Sequence, residues 1–195
     1  QGSVLGPSLF ILYINDLPDL VKNEIFLFAD DTKIFGPANN NNDTAYIQED
    51  LNILHRWSQD WLLLFHPGKC KTLRLGNRKD TLPYEYKLED TILEDSECEK
   101  DLGVWTDNKL TFGKHIDEKI KTANKIMGII RRSFRHLNKS NFSKLFKSMV
   151  RPHLEYAATV WNPLYMKDIR KIEAVQRRAT KQVPELKNMT YEQTL

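Results

Sequence analysis

Cysteine is nearly missing from this sequence: Cys70 and Cys98 are the only two in 195 residues, with no CxxC pair and no Cys/His cluster. That argues against the zinc modules, which need three or four N or S ligands at short spacing, and fits a reducing compartment. The five histidines are scattered and form no metal-ligand spacing. No apolar run approaches the roughly 20 residues that cross a bilayer, which excludes a membrane-spanning helix. No basic stretch followed by an apolar one opens the chain, so no signal peptide is visible. Internal repeats are also lacking. Acid is missing in one place only: between residues 109 and 151, Asp117 and Glu118 face twelve Lys/Arg.

That local deficit makes the small net charge of +3 misleading. Residues 1–108 balance at −9, residues 109–151 at +10, and the remainder at +2. Charge runs on amphipathic helices are often only a solvated face. An excess so one-sided favours contact with a polyanion, through the phosphate backbone rather than base edges. Lys121, Lys125, Arg131, Arg132 and Arg135 are the candidate nucleic-acid-binding residues. With 41% hydrophobic residues, the chain can build one or two small cores.

Apolar periodicity places the elements. Leu9 to Ile14 is a dense apolar run inside 7–20, expected to be a buried helix closed by Leu17-Pro18. Residues 24–35 read as a β-hairpin, followed by an exposed loop whose four-asparagine run reads as filler. Ile47, Leu51, Leu54, Trp57 and Trp61 recur at helical spacing over about 44–63, with Asp43 or Thr44 as cap. Strands are expected at 71–76 and 84–93, the latter turning at Glu89-Asp90. Ile116, Ile120, Ala123, Met127, Ile130, Phe134 and Leu137 then step by four and three along one long helix. A second helix is expected from a Ser140 cap with Phe142, Leu145, Phe146 and Met149 inward, interrupted at Pro152. A third, from about 167, carries Ile169, Ile172, Val175 and Ala179. Trp105, Tyr156 and Trp161 are expected in the core.

The chemistry concentrates at Asp30-Asp31, between the apolar runs 24–28 and 32–35. Adjacent carboxylates at a hairpin tip can ligate Mg²⁺, a hard cation that takes oxygen ligands and leaves room for substrate phosphates. Alone, the pair reads first as a solvated turn, since Asp is a common turn residue.

The neighbouring blocks decide between these readings. They are Gln1 to Phe10, Ile11 to Pro18, Phe28-Ala29-Asp30-Asp31, Lys69 to Thr72, Lys100 to Leu110, Val150 to Ala157 and Ile172 to Thr180. In this order they resemble the reverse transcriptase of non-long-terminal-repeat (LINE-type, jockey-like) retrotransposons over essentially the whole chain. The resemblance implies an α+β fold: a partial polymerase palm over 1–108, then a helical thumb and connection over 109–195. It implies RNA-directed DNA polymerase activity with Mg²⁺, or Mn²⁺ in its place, on an RNA template, a DNA primer and deoxynucleotides. Asp30 and Asp31 would be catalytic metal ligands. Lys69 would be a proton donor to the leaving pyrophosphate. Gln1, Gly2 and Phe28 would lie at the template and incoming nucleotide, and Leu102 and Gly103 in the hairpin that grips the primer strand. Intracellular, nuclear action would follow.

One departure goes with these matches. The family's palm carries a further catalytic Asp on an earlier strand, which this sequence does not contain. The expectation is therefore the back part of an enzyme, with fingers, first palm strand and endonuclease upstream, and no activity in this fragment alone. The competing reading is a non-catalytic nucleic-acid-binding remnant of a decayed element.

Overall fold

The computed structural model describes residues 4–76, 83–134, 137–183 and 185. The chain divides into two compact units, Gln1–Glu97 and Cys98–Leu195, each with its own core. The architecture is α+β: helices with four two-stranded ladders among the described residues. The division falls ahead of residue 108, so the hairpin at 98–107 goes with the helices that follow it.

In the first unit, α1 (Leu5–Ile14) leads through a 3₁₀ turn (Leu17–Leu20) into β1 (Glu24–Phe28) and β2 (Asp31–Phe35). The expected buried helix is instead largely exposed: Leu9, Ile11 and Leu12 are more than half in solvent, and only Ile14 and Leu17 are buried. A helix apolar on every side needs covering on every side. Among the described residues of this unit, the side bearing Phe10, Tyr13 and Ile14 meets partners, with Tyr13 edge-on to Trp57 and Trp61. Pro18 does not close α1 but sits in the first turn of the 3₁₀ helix, where its missing N–H has no intrahelical role to lose.

β1 and β2 pair antiparallel with Glu24 opposite Phe35 and Phe28 opposite Asp31. Their period-two pattern turns Ile25, Leu27 and Ile34 onto a core of Ile14, Leu17, Leu54 and Trp57. Helix α2 (Asn41–Asp60) supplies the last two. Its cap is Asn40, ahead of the expected Asp43 or Thr44. The Asn40 side chain accepts from the N–H groups of Asn42 and Asp43, both at 2.9 Å, and Asp43 accepts back from Asn39 N and Asn40 Nδ2. The asparagine run is thus a helix start rather than filler.

Strands shorter than expected follow: β3 (Lys71–Leu73), β4 (Lys87–Leu88), β5 (Thr91–Ile92) and β6 (Glu94–Ser96). The β4–β5 turn lies at Glu89-Asp90 as expected, and β6, which the sequence did not signal, runs parallel to β3. Tyr86, Leu88 and Leu93 pack on Ile47 and Leu51 of α2.

The second unit opens with β7 (Cys98–Asp101) and β8 (Val104–Asp107), then α3 (Gly113–Ser133). The heptad-like stripe holds: Ile116, Ala123, Met127 and Ile130 are buried, with Ile120 half-buried. It ends sooner than its period implied, because α3 stops at Ser133 and Phe134 turns extended and exposed. Next come α4 (Lys139–Leu145), a π-helical turn (Phe146–Val150) and α5 (Arg151–Glu155). The α4 cap is Asn138, which accepts from Asn141 N at 2.8 Å, rather than Ser140. The π turn precedes Pro152, whose ring would collide with the carbonyl four residues back in a regular helix. The widened turn rotates Met149 outward and Val150 inward, reversing the expected burial of Met149. Helices α6 (Ala158–Trp161) and α7 (Met166–Thr180) complete the unit. Val175 and Ala179 join Ala123, Met127, Ile130, Val150 and Leu154 in one core.

Candidate functional site

The acid pair stands where its local sequence puts it. Phe28 and Asp31 are cross-strand partners, so Ala29 and Asp30 form a two-residue loop, and both acids are exposed. Ala29 takes a φ of +51°, a left-handed conformation that disfavours a side chain. The inner face of the hairpin is held by the core. Its outer face carries Phe26, Phe28 and Phe35, all more than half exposed, leading up to the acids.

The support comes from a residue the sequence reading passed over. Asp50 of α2 is fully buried, and its carboxylate accepts from Lys22 N at 2.8 Å, Asn23 N at 2.9 Å and Asn23 Nδ2 at 2.7 Å. It therefore fixes the chain at the entry to β1 with charge-assisted bonds. Lys22 Nζ adds an exposed bond to Glu49 at 2.7 Å. At the far end, a Cβ on Gly36 would lie 2.2 Å from Asn23 Oδ1, so any side chain there would have to displace the Asn23 amide that bonds Asp50. A charge within the apolar stripe of α2 was the available signal.

Two carboxylates offer hard oxygen donors in the open, a donor set suited to a cation that keeps water and phosphate ligands. Among the described residues no cluster of three or more His, Cys, Asp or Glu gathers to complete a metal site. Lys69 stands on a separate element, at the end of a 3₁₀ turn (Pro67–Lys69), and is exposed. Beside it, burial pushes the Cys70 thiol above its usual range. Gln1 and Gly2 lie outside the described residues.

The second unit holds the remaining candidates. Leu102 (φ +43°) and Gly103 (φ +85°) form the two-residue turn between β7 and β8. Behind the turn, Trp105 N donates to His115 Nδ1 at 3.2 Å, and Lys114 Nζ sits 3.6 Å from the Trp105 ring centroid. Burial, aided by Lys119, lowers the pKa of His115 to about 4. Asp107 closes the hairpin onto α3, accepting from the N–H groups of Lys109, Thr111 and Phe112 and from the Thr111 hydroxyl. Burial works against its charge, but these bonds prevail and hold its carboxyl below the ordinary range.

Along α3, Lys121, Lys125, Arg131 and Arg132 are all exposed; Arg135 lies outside the described residues. The only two acids of this region are engaged, Asp117 with Lys171 at 2.7 Å and Glu118 with Lys121 at 3.6 Å. Of the aromatics expected inside, Trp161 is buried, Trp105 is half-buried and Tyr156 is about half exposed.

Comparison with known proteins gives the family. Residues 1–106 match the family described as reverse transcriptase (RNA-dependent DNA polymerase), and the chain belongs to that family. Its similarity extends to particular mobile-element proteins. It is 28% identical over 192 residues to the probable RNA-directed DNA polymerase from transposon X-element of Drosophila melanogaster, covering 93% of this chain and 21% of that protein. It is 27% identical over 195 residues to the RNA-directed DNA polymerase from mobile element jockey of Drosophila funebris, covering 94% and 21%. It is 30% identical over 202 residues to the probable polymerase from transposon BS of Drosophila melanogaster, covering 94% and 22%. The jockey-like resemblance of the sequence blocks therefore holds, and the chain spans about a fifth of the length of these relatives. No solved structure matches the chain significantly.

Proposed function

We propose that this chain supplies the acid pair and the primer-side surfaces of an RNA-directed DNA polymerase. The observation carrying this is Asp30-Asp31, exposed at the tip of a braced hairpin inside the matched region. The reaction adds a deoxynucleotide to the 3′ oxygen of a DNA primer on an RNA template, releasing pyrophosphate. Asp30 and Asp31 would hold Mg²⁺, with Mn²⁺ as substitute, as part of a two-metal site. When bound, such cations stabilise the attacking and leaving oxygens. Two carboxylates alone hold such a pair only partly, so this chain by itself is expected to be silent.

The other roles follow from charge and position. Lys69 carries a cation to the leaving pyrophosphate and can pass it a proton. Phe28, across from Asp31, and the QG pair Gln1-Gly2 would line the template and incoming nucleotide. Leu102 and Gly103 present the turn that meets the primer strand. Lys121, Lys125, Arg131, Arg132 and Arg135 would neutralise backbone phosphates without reading sequence. The palm, for 1–108, and the thumb, for 109–195, are the subdomains this assigns, with nuclear action as the family implies.

Primer extension on an RNA template with Mg²⁺, by the full reading frame, tests the reading. Asp30→Asn or Asp31→Asn should lower extension by roughly 10²-fold or more while nucleic-acid binding persists. Extension unchanged in both variants would overturn it.

A further inference from the structure

The block Val150 to Ala157 has no role in the chemistry above, yet the fold spends several contacts on it. Val150 and Leu154 are buried in the core with α3 and α7, which anchors α5 along one side. Immediately after α5 the chain turns a corner: Ala157 takes a φ of +54°, and Trp161 Nε1 donates to Tyr156 O at 2.6 Å. The corner aims the Tyr156 phenol at the β7–β8 turn, where its hydroxyl donates to Leu102 O at 2.9 Å, across 54 residues of sequence. The ring lies against Gly103 so closely that a Cβ there would come within 3.3 Å of Tyr156 Cε1. Lys119 Nζ stands 5.2 Å from the centre of the same ring.

That turn needs outside help. Two-residue hairpin loops with positive φ at both positions favour Asn-Gly, because a leucine in the left-handed region is strained. Here Leu102 occupies the strained position with its side chain 43% exposed, so burial of that side chain does not compensate. The Tyr156 hydroxyl supplies that help, by bonding the Leu102 carbonyl in this conformation.

We propose that Tyr156 is a positioning residue for the primer strand: it locks the Leu102-Gly103 turn in its left-handed form and sets where that turn meets the primer. This rests on the reading of that turn as the primer contact. Tyr156 does not touch the reacting atoms and acts through the turn.

The test is steady-state extension by the full-length polymerase, comparing Tyr156→Phe with Gly103→Ala and with Leu102→Asp. Tyr156→Phe keeps the ring and removes the hydroxyl; it should raise KM for primer–template roughly threefold to tenfold, the scale of one lost hydrogen bond. KM for deoxynucleotide and kcat should move by less than that. Gly103→Ala, which pushes the turn off the ring from the other side, should give the same split and serves if Tyr156→Phe fails to fold. Leu102→Asp, placing a carboxylate at the turn itself, reports on the primer contact. A raised primer KM in Leu102→Asp with none in Tyr156→Phe or Gly103→Ala overturns the positioning role alone. No change in any of the three removes the primer contact and the proposal with it. A lowered melting temperature in Tyr156→Phe with both KM values unchanged would leave Tyr156 merely structural and also overturn it.

Discussion

Among single residues, His115 makes the sharpest demand on solution conditions. It is fully buried, its ring tilts against Trp161 at 5.1 Å, and Nδ1 accepts from Trp105 N, so the neutral ring carries its proton on Nε2. That Nε2 has no hydrogen-bond partner among the described residues. With its folded pKa lowered from 6.5 to about 4, the unfolded chain takes up the proton first as the pH falls. The contribution of His115 to the second unit is therefore complete above pH 6.5 and drains away between 6.5 and about 4. Denaturant midpoints measured across that window should fall steadily in the native chain and more shallowly in His115→Gln. Equal slopes in the two would show that other groups set the acid response.

At the scale of elements, three hairpins share a peculiarity: each bends through a left-handed residue other than glycine or asparagine, Ala29 between β1 and β2, Glu89 between β4 and β5 and Leu102 between β7 and β8. Strain of this kind is kept where surrounding structure enforces it and where the local shape matters. Replacing Leu102 by Asn should stabilise the chain by about 0.5–1 kcal/mol, because Asn tolerates the conformation. Thermal unfolding would show the gain.

The elements also show how far local sequence reaches. The stripe from Ile116 to Ile130 and the alternation of 24–35 were legible because burial is periodic and local. The caps were not: Asn40 and Asn138 are polar residues in polar runs, and only the hydrogen bonds distinguish them from their neighbours. The outward turn of Met149 hinges on a π-helical turn that no apolar period encodes. For the candidate site, the hairpin tip carrying Asp30 and Asp31 could be read from its flanks, whereas its proposed metal role rests on the order of the neighbouring blocks. Asp50 and Tyr156 could not be read in either way, since each works on backbone 27 or more residues away.

For the whole molecule, the segregation of charge is the dominant fact. The 109–151 segment carries +10; Asp117 is paired with Lys171 and Glu118 with Lys121, and Lys125, Arg131 and Arg132 stand exposed on α3. Binding to duplex nucleic acid should therefore weaken steeply with salt, by about 0.9 in log–log slope for each phosphate neutralised. Changing Lys125, Arg131 and Arg132 together to Gln should flatten that slope by about three and weaken all sequences alike. A salt slope unchanged by the triple substitution would place the contact elsewhere. No helix among the described residues is long and apolar enough to cross a membrane.

The anchoring of the acid hairpin by Asp50 bears on the order of events as the chain folds. β1 and β2 can zip together on their own in about 1–10 μs, since their pairing closes only a two-residue loop. The bonds from Asp50 to Lys22 and Asn23 must await a helix 27 residues downstream. The expected order is pairing of the hairpin first and its seating by Asp50 later, on the native side of the barrier. Asp50→Ala should leave the refolding limb of a chevron nearly unmoved and speed unfolding, by the roughly 1–3 kcal/mol that orphaned, partly buried N–H groups cost.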